Sequence, residues 1–309
     1  MNIQLKLSGS GGGVPCYGLE AGSAFGSGNR PSLQFFRSPL LANAGGLIHA
    51  FTTCTGGVSP PPYNSLNLSS KTGDSDENVS ENLRILTAEL GIERAPLFMD
   101  QVHGDNILII DDLNPKDSMA VSALASSADA AITSCEGVPL VVITADCLPI
   151  LLYDAARSVA AVVHAGWKGT SLNIAGKTVA AMTKRFGCKP ADIIAAMGPF
   201  IGPCCYEVDE RVVSSFESFI KARPDVWSKV FSPSEALSAA EKAGRWMFDL
   251  AGANLLQLNT AGIPYSNVSL SPYCTCCSDG LFYSHRRDGE KTGRQGAILM
   301  INKNGHGMG

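Results

Sequence analysis

Three residues of the types that bind zinc stand in or beside apolar segments of this 309-residue chain. Cys147 and His164 flank a short polar break between two apolar runs, and His103 stands upstream between two further apolar stretches. One thiolate and two imidazoles make a three-ligand set, which leaves a fourth position open, as in catalytic rather than structural zinc sites. The pattern therefore predicts about one zinc ion per chain, open to a further ligand.

The two apolar runs around the polar break are predicted to form a β-hairpin, because β-branched and aromatic side chains dominate both. If the loop has an even length centred between Ala155 and Ala156, Cys147 lies directly opposite His164. Their Cβ atoms would then be about 4.5–5.5 Å apart on one face of the sheet. An odd loop would place them on opposite faces. Pro149 interrupts the ladder and favours a bulge beside Cys147.

Cys147 has two other interpretations. It can be a small buried hydrophobic residue of a strand, or a hydrolase nucleophile with His164 as its base. The zinc interpretation is favoured because Asp146 replaces an expected apolar strand residue and His164 opens the glycine-spaced turn HAGWKG. If a zinc-bound water molecule acts as nucleophile, a carboxylate should carry its proton, and Asp146 and Asp129 are the local candidates. Asp129 is equally well explained as a turn residue.

Seven segments of the chain resemble the signature blocks of the laccase-domain (polyphenol oxidase) family. They run in order between about Leu47 and Ile301 and read QVHGDN, ADCLPI, HAGWKG, IGPCCYEV, FDL, CT and FYSHRRDGEKTGRQ. The resemblance implies an α/β/β/α sandwich and zinc ligands at His103, Cys147 and His164. The chain departs from the family at Cys54, where members usually have arginine.

The resemblance also implies an activity, because the family is associated with purine nucleoside phosphorylases and adenosine deaminases. The expected reactions are phosphorolysis of adenosine, inosine or methylthioadenosine to free base and ribose 1-phosphate, and deamination of adenosine. Zinc lowers the pKa of a bound water molecule to about 7, and attack at C6 of adenine is the chemistry of zinc deaminases. The usual deaminase pattern, H-x-E with P-C-x-x-C, is absent from the chain, so the scaffold would differ.

An arginine cluster near the C-terminus is the candidate site for phosphate as co-substrate. Arg286, Arg287 and Arg294 stand among glycines, and a guanidinium group matches phosphate geometry in a bidentate manner. The alternative is a solvated surface loop, since most surface charges do no specific work. The other predicted substrate contacts are Lys168, Asn67 and Gln101.

The ten cysteines of the chain are too few for a disulfide scaffold, and several are adjacent, which suits reduced thiols. We therefore expect a cytoplasmic protein. Cys274 and Cys277 have CxxC spacing, but a structural zinc needs four ligands and no second CxxC exists. The adjacent pair Cys204 and Cys205 has unfavourable spacing. These cysteines are predicted to be mainly buried thiols.

The principal alternative function is a copper-dependent polyphenol oxidase. A multinuclear copper centre needs many imidazoles, whereas the chain has five histidines and no HxH pair. Copper in the zinc site could still support weak oxidase activity. A non-enzymatic role in cell-envelope (peptidoglycan) quality control, to which family members are linked, is the remaining alternative.

Composition limits the partners and the architecture. The net charge of −4 gives no basic surface for nucleic acid, and no apolar run reaches the roughly 20 residues that span a membrane. Residues 1–30 are rich in Gly and Ser and are predicted to be a flexible leader without a secretory signal. Residues 31–309 mix strands with helices, which predicts a single catalytic domain with an α+β or layered α/β fold.

Overall fold

The computed structural model describes residues 18–21, 32–111, 127–233 and 244–302. These residues contain fifteen strands and nine α-helices. The strands are β1 Gly18–Ala21, β2 Gln34–Arg37, β3 Leu47–Thr52, β4 Leu97–Phe98, β5 Ile107–Ile110, β6 Ala130–Thr133, β7 Leu140–Thr144, β8 Leu148–Asp154, β9 Val159–Ala165, β10 Ile194–Met197, β11 Glu207–Asp209, β12 Phe231–Pro233, β13 Arg245–Phe248, β14 Val268–Leu270 and β15 Gln295–Ile301. The helices are α1 Pro39–Ala44, α2 Asp76–Glu89, α3 Trp167–Ser171, α4 Ile174–Phe186, α5 Glu210–Ser215, α6 Glu217–Ala222, α7 Pro224–Val230, α8 Leu250–Thr260 and α9 His285–Asp288.

Two mixed six-stranded sheets form the centre of the fold. Sheet A has the order β1-β2-β3-β15-β7-β4, and sheet B has the order β14-β10-β8-β9-β6-β5. Their facing sides share one apolar cluster, to which Phe51 and Val142 of sheet A and Leu151 and Val162 of sheet B belong. Burial on both faces explains why β8 and β9 have almost continuous apolar sequences.

Helices cover the outer face of each sheet. Leu86 of α2 packs with Val141 and Ile298 of sheet A, whereas Val179 of α4 and Leu258 of α8 pack in the cluster behind sheet B. The layers are therefore α/β/β/α, which confirms the expected sandwich. None of the helices in the described ranges is long and apolar enough to cross a membrane.

The chain crosses from sheet A to sheet B at residues 145–147, between β7 and β8. The predicted hairpin register is wrong: Pro149, not Cys147, pairs with His164. The loop of residues 155–158 is even in length, but it is centred between Ala156 and Arg157, one residue later than predicted, which moves the partner of His164 by two residues. The ladder begins at Leu148, after the crossing. Cys147 thus precedes the strand and lies diagonal to His164 on the same face, and Pro149 lies within the ladder.

Part of the predicted leader is a strand. β1 pairs antiparallel with β2, and Arg37 forms an ion pair with Glu20 at 3.3 Å. The expectation of a flexible leader is therefore wrong for Gly18–Ala21, and the remainder of residues 1–30 lies outside the described residues. A single domain over residues 31–309 stays a prediction.

Candidate metal centre

His103, Cys147 and His164 converge at one end of sheet B. Their ligand atoms all lie within 4.8 Å of one another, and the two imidazole rings meet edge to face with centroids 4.9 Å apart. Zinc bonds of about 2.0–2.3 Å would bring such atoms to about 3.5 Å separation with small side-chain movements. Gly166 leaves the room for this, because a Cβ there would lie 3.0 Å from Cys147 Sγ.

Asp129 positions both histidines. Its carboxylate accepts hydrogen bonds from the backbone N–H groups of His103 at 2.9 Å and Gly104 at 2.7 Å, which holds His103 in a left-handed conformation with φ 61°. Its Oδ1 also lies 2.7 Å from His164 Nδ1. When a carboxylate engages Nδ1 in this way, the other ring nitrogen is left for a metal. The donor set and its carboxylate support fit a zinc ion.

The electrostatics of the triad favour a negatively charged sulfur. Burial raises the pKa of Cys147, but the charge of His164 and hydrogen bonds from His103 and His164 outweigh it and bring the pKa to about 6. Burial lowers the pKa of His164, but the Cys147 thiolate and Asp129 raise it to about 9. A thiolate beside a positive charge is the state that a metal cation would stabilise in place of the imidazole proton.

The triad lies in the wall of a cavity of about 680 Å³, within the usual size range of small-ligand pockets. Trp167, Tyr206, His285, Arg286 and Arg294 also line it. A second cavity of about 670 Å³ lies between α4 and α8, and Lys184 is the only ionisable residue among its described lining residues. Of these two cavities, only the first is lined by the metal-ligand residues of the triad and by arginines.

Two of the predicted arginines face the first cavity. Arg294 Nη1 donates to the carbonyl oxygens of Thr292 and Gly293, so its other donors can reach a ligand. Burial lowers the pKa of Arg294 despite the nearby charges of Cys147 and Asp146, and an anion would offset that cost. Arg286 stacks over the Tyr206 ring at 5.4 Å and donates to two backbone carbonyls.

Arg287 is not among the residues that line this cavity. Its Nη1 and Nη2 donate to the carbonyl oxygens of Thr275 and Phe282 at 2.9 and 2.8 Å, and its guanidinium pairs with Asp288. These contacts tie Arg287 to the segment between β14 and α9, and the structure does not bring it together with Arg286 and Arg294 at the cavity.

Asn67 and Lys168 do not line the cavity either. Asn67 is fully buried. Its side-chain amide donates a hydrogen bond to the Ser69 carbonyl oxygen in its own loop and accepts one from the backbone N–H of Arg294. Lys168 is exposed over the Trp167 ring. Gln101 does line the cavity, but its amide is held by both backbone groups of Ile143 at 2.8 Å. Their predicted roles as substrate contacts therefore lose support.

The two candidate proton carriers are both fully engaged. Asp146 accepts from Thr275 Oγ1 and from the backbone N–H of Arg286, each at 2.6 Å, and Asp129 holds the two histidines as described. Both carboxylates fix other groups in place.

His285 is exposed at the cavity wall. It was not singled out from the sequence, although it stands inside the SHRRDG block.

Four cysteines form a second cluster that the sequence did not predict. The sulfur atoms of Cys204, Cys205, Cys274 and Cys277 all lie within 4.8 Å of one another, and the outer two are exposed. β10 and β14 are parallel neighbours, so the loops that follow them leave the same sheet edge. The expectation of unrelated buried thiols is wrong because strand order is not visible in cysteine spacing.

The sequence and the fold are both similar to those of known bacterial proteins. A purine nucleoside phosphorylase YlmD from Geobacillus stearothermophilus is 37% identical over 259 residues, covering 82% of this chain and 90% of that protein. A purine nucleoside phosphorylase from Deinococcus radiodurans is 37% identical over 270 residues, covering 87% of this chain and 93% of that protein. The crystal structure of the hypothetical protein YfiH from Bacillus licheniformis superposes with a TM-score of 0.75 at 33% identity, covering 89% and 98% of the two chains.

The family described as "Multi-copper polyphenol oxidoreductase laccase" matches residues 48–302, a range that includes the metal-type triad and both cavity arginines. The chain belongs to this laccase family.

Proposed function

We propose that this protein is a zinc-dependent purine nucleoside phosphorylase that also deaminates adenosine. The observation that carries the proposal is the placement of His103, Cys147 and His164 in the wall of the same cavity as Arg294. One end of the cavity can hold a metal ion, and the arginine offers a contact for an anion. The names of the relatives, purine nucleoside phosphorylases, agree with this arrangement.

The donor set favours zinc over a multinuclear copper centre. Two imidazoles and one thiolate meet here, whereas multicopper chemistry requires many imidazoles. His49 lies elsewhere, buried in β3 with Nε2 accepting from the Ser38 N–H. A zinc ion held by His103, Cys147 and His164 would supply Lewis-acid polarisation without redox chemistry. Oxidation of phenols by the zinc-loaded protein should therefore be slow or absent.

Phosphorolysis places specific demands on the cavity. An oxygen of phosphate forms a bond to C1′ of the ribose while the C1′–N9 bond breaks, and the purine takes the electron pair and a proton. Arg294, with Arg286 of the same cavity wall, would hold the phosphate through charge-assisted hydrogen bonds. His285 would deliver the proton to the departing base, because histidine is suited to proton transfer near neutral pH.

Deamination uses the same cavity with a different co-substrate. Water adds at C6 of adenine and ammonia leaves, so inosine forms without phosphate. A requirement for phosphate thus separates the two activities.

We also propose a cytoplasmic location, which the free thiols of Cys147 and eight other described cysteines support.

The test is to incubate zinc-loaded protein with adenosine, with and without inorganic phosphate, and to identify the products by chromatography. We expect adenine and ribose 1-phosphate only when phosphate is present, and inosine under both conditions. Inosine alone would refute phosphorolysis, and an absence of both products would refute the whole proposal. Inactivation by a thiol alkylator despite saturating zinc would instead favour a cysteine hydrolase with Cys147 as nucleophile.

A further inference from the structure

The cluster of Cys204, Cys205, Cys274 and Cys277 has the dimensions of a tetrahedral metal site. Cys204 Sγ and Cys205 Sγ lie 3.4 and 3.2 Å from Cys277 Sγ. Zinc–sulfur bonds of about 2.3 Å in a tetrahedron place sulfur atoms about 3.8 Å apart. Small rotations about the side-chain bonds would therefore open the cluster to accept one ion. Gly202 leaves the space, because a Cβ there would lie 3.3 Å from Cys274 Cβ.

The backbone beside Cys274 offers its sulfur a hydrogen bond. The N–H of Gly202 donates to Cys274 Sγ at 3.2 Å. A hydrogen bond donated to sulfur stabilises negative charge there, which suits a thiolate that binds a metal ion.

A disulfide does not account for the arrangement. A disulfide requires two sulfur atoms about 2.05 Å apart and involves only one pair. Here Cys277 is shared between Cys204 and Cys205, and Cys274 completes a set of four. Four sulfurs gathered around a common centre suit a shared ligand instead.

We propose that Cys204, Cys205, Cys274 and Cys277 bind a second zinc ion at a structural site, separate from the triad in the cavity wall. Four protein ligands close the coordination sphere, which is the pattern of structural rather than catalytic zinc. Binding converts the thiols to thiolates and releases their protons to solvent as the zinc–sulfur bonds form. No electron transfer is involved.

The position of this site gives it a consequence for the cavity. It joins the loop after β10 to the loop after β14, which already meet through a bridge between Phe200 and Cys274. The carbonyl oxygen of Cys205 accepts from Arg286 Nη1 at 3.1 Å. Thr275, inside the CxxC turn, donates to Asp146, which in turn accepts from the Arg286 N–H. A zinc ion would therefore hold in place the backbone that orients Arg286.

The test is the zinc content of protein purified under reducing conditions, measured by elemental analysis. We expect about two zinc ions per chain in the wild-type protein and about one in the Cys204→Ser/Cys277→Ser variant. Cys147→Ser should also retain about one, now at the cysteine cluster, whereas Cys135→Ser, a matched thiol remote from both sites, should retain about two. Because the two zinc contents are lost separately, failure of this site is distinguishable from failure of the proposed active site.

Cobalt substitution keeps the test decisive if the double variant does not fold. Four thiolates around Co²⁺ give a far stronger sulfur-to-cobalt absorption band than the single thiolate of the triad. We expect that strong band in folded Cys147→Ser protein. Three results would each overturn the proposal. They are the absence of that band, a wild-type content of about one zinc ion with the triad as its sole binding site, and a thiol count that shows a disulfide among the four cysteines.

Discussion

Arg294 is the residue on which phosphate binding depends at the scale of single side chains. Its guanidinium is partly buried beside Asp146 and Cys147, and burial lowers its pKa. We expect Arg294→Met to reduce phosphorolysis of adenosine roughly 10- to 150-fold, because one charge-assisted contact contributes about 1.5–3 kcal/mol. Deamination should retain most of its rate. Both rates are measured from the same reaction mixtures.

Lys168→Gln is the matched control, since it removes an exposed cation of α3 that does not line the cavity. Its rates should equal those of the wild type. If Arg294→Met reduces both activities equally, or neither, phosphate does not bind at this arginine.

His285 provides a second test at the residue scale, through the kinetics of phosphorolysis. His285→Gln keeps a polar side chain at the cavity wall but cannot exchange a proton. We expect kcat to fall about 100-fold while KM for phosphate changes little, because the variant cannot protonate the departing base. An unchanged kcat with a higher KM would show that His285 contacts substrate without transferring a proton.

Residue types predict the metal triad better than they predict the remaining contacts. Cysteine and histidine are common metal ligands, so His103, Cys147 and His164 can be selected from the sequence as a candidate set, and the fold brings the three together. An arginine's role depends on which acceptors surround it. The carbonyl oxygens that engage Arg287 belong to Thr275 and Phe282, in the segment between β14 and α9, and nothing in the local sequence marks them as acceptors.

At the scale of elements, the loop before β5 depends on a single carboxylate. Asp129 is fully buried, and its oxygens accept from the N–H groups of residues 102–104 and engage His164. Asp129→Asn replaces an acceptor oxygen with a donor, which repels the N–H groups. We expect zinc affinity at the triad to fall about 10- to 100-fold, as measured by competition with a chromophoric chelator.

Asp105→Asn is the control for Asp129→Asn, because Asp105 lies in the same loop but forms only an exposed ion pair with Lys177. Its zinc affinity should match that of the wild type. Equal losses in both variants would mean that loop charge in general, rather than the position of Asp129, governs the metal site.

Register and strand order explain why elements were only partly predictable. The β8–β9 hairpin follows from its apolar runs and turn residues, but its register depends on the turn at residues 155–158. Ser158 has φ 52° in that turn, a conformation that its side-chain type does not announce. The cysteine loops are likewise brought together by the pairing of β10 with β14, which only the complete sheet defines.

At the scale of the whole molecule, a buried histidine links stability to pH. Burial, followed by the charge of Arg37, lowers the pKa of His49 to about 3, whereas histidine in an unfolded chain has a pKa near 6.5. Below about pH 6.5 the unfolded chain therefore binds a proton that the folded protein does not. The free energy of unfolding should fall by about 1.4 kcal/mol per pH unit from this residue as the pH approaches 3.

The measurement is urea unfolding of the wild type and His49→Gln between about pH 7 and about pH 5. Glutamine can still accept from the Ser38 N–H but does not titrate. The free energy of unfolding of the variant should therefore fall less steeply over this range, by up to about 1.4 kcal/mol per pH unit. Parallel losses in the two proteins would show that His49 is not the group responsible.

The layered architecture itself was accessible from the sequence through alternating strands and helices and through the family resemblance. The arrangement of the loops and of the β7–β8 crossing around the cavity was not accessible, because it depends on packing between distant segments. The claim that zinc, phosphate and nucleoside bind in this one cavity therefore requires a test on the intact protein.

Phosphate-dependent release of hypoxanthine from inosine, by zinc-loaded wild-type protein and by Cys147→Ser, tests that claim most directly. We expect the wild type to form hypoxanthine and ribose 1-phosphate in equal amounts. The folded variant should be slower by at least a factor on the order of 100, because it lacks a ligand of the proposed zinc site. Base release that does not require phosphate, or that persists in Cys147→Ser, would contradict the account.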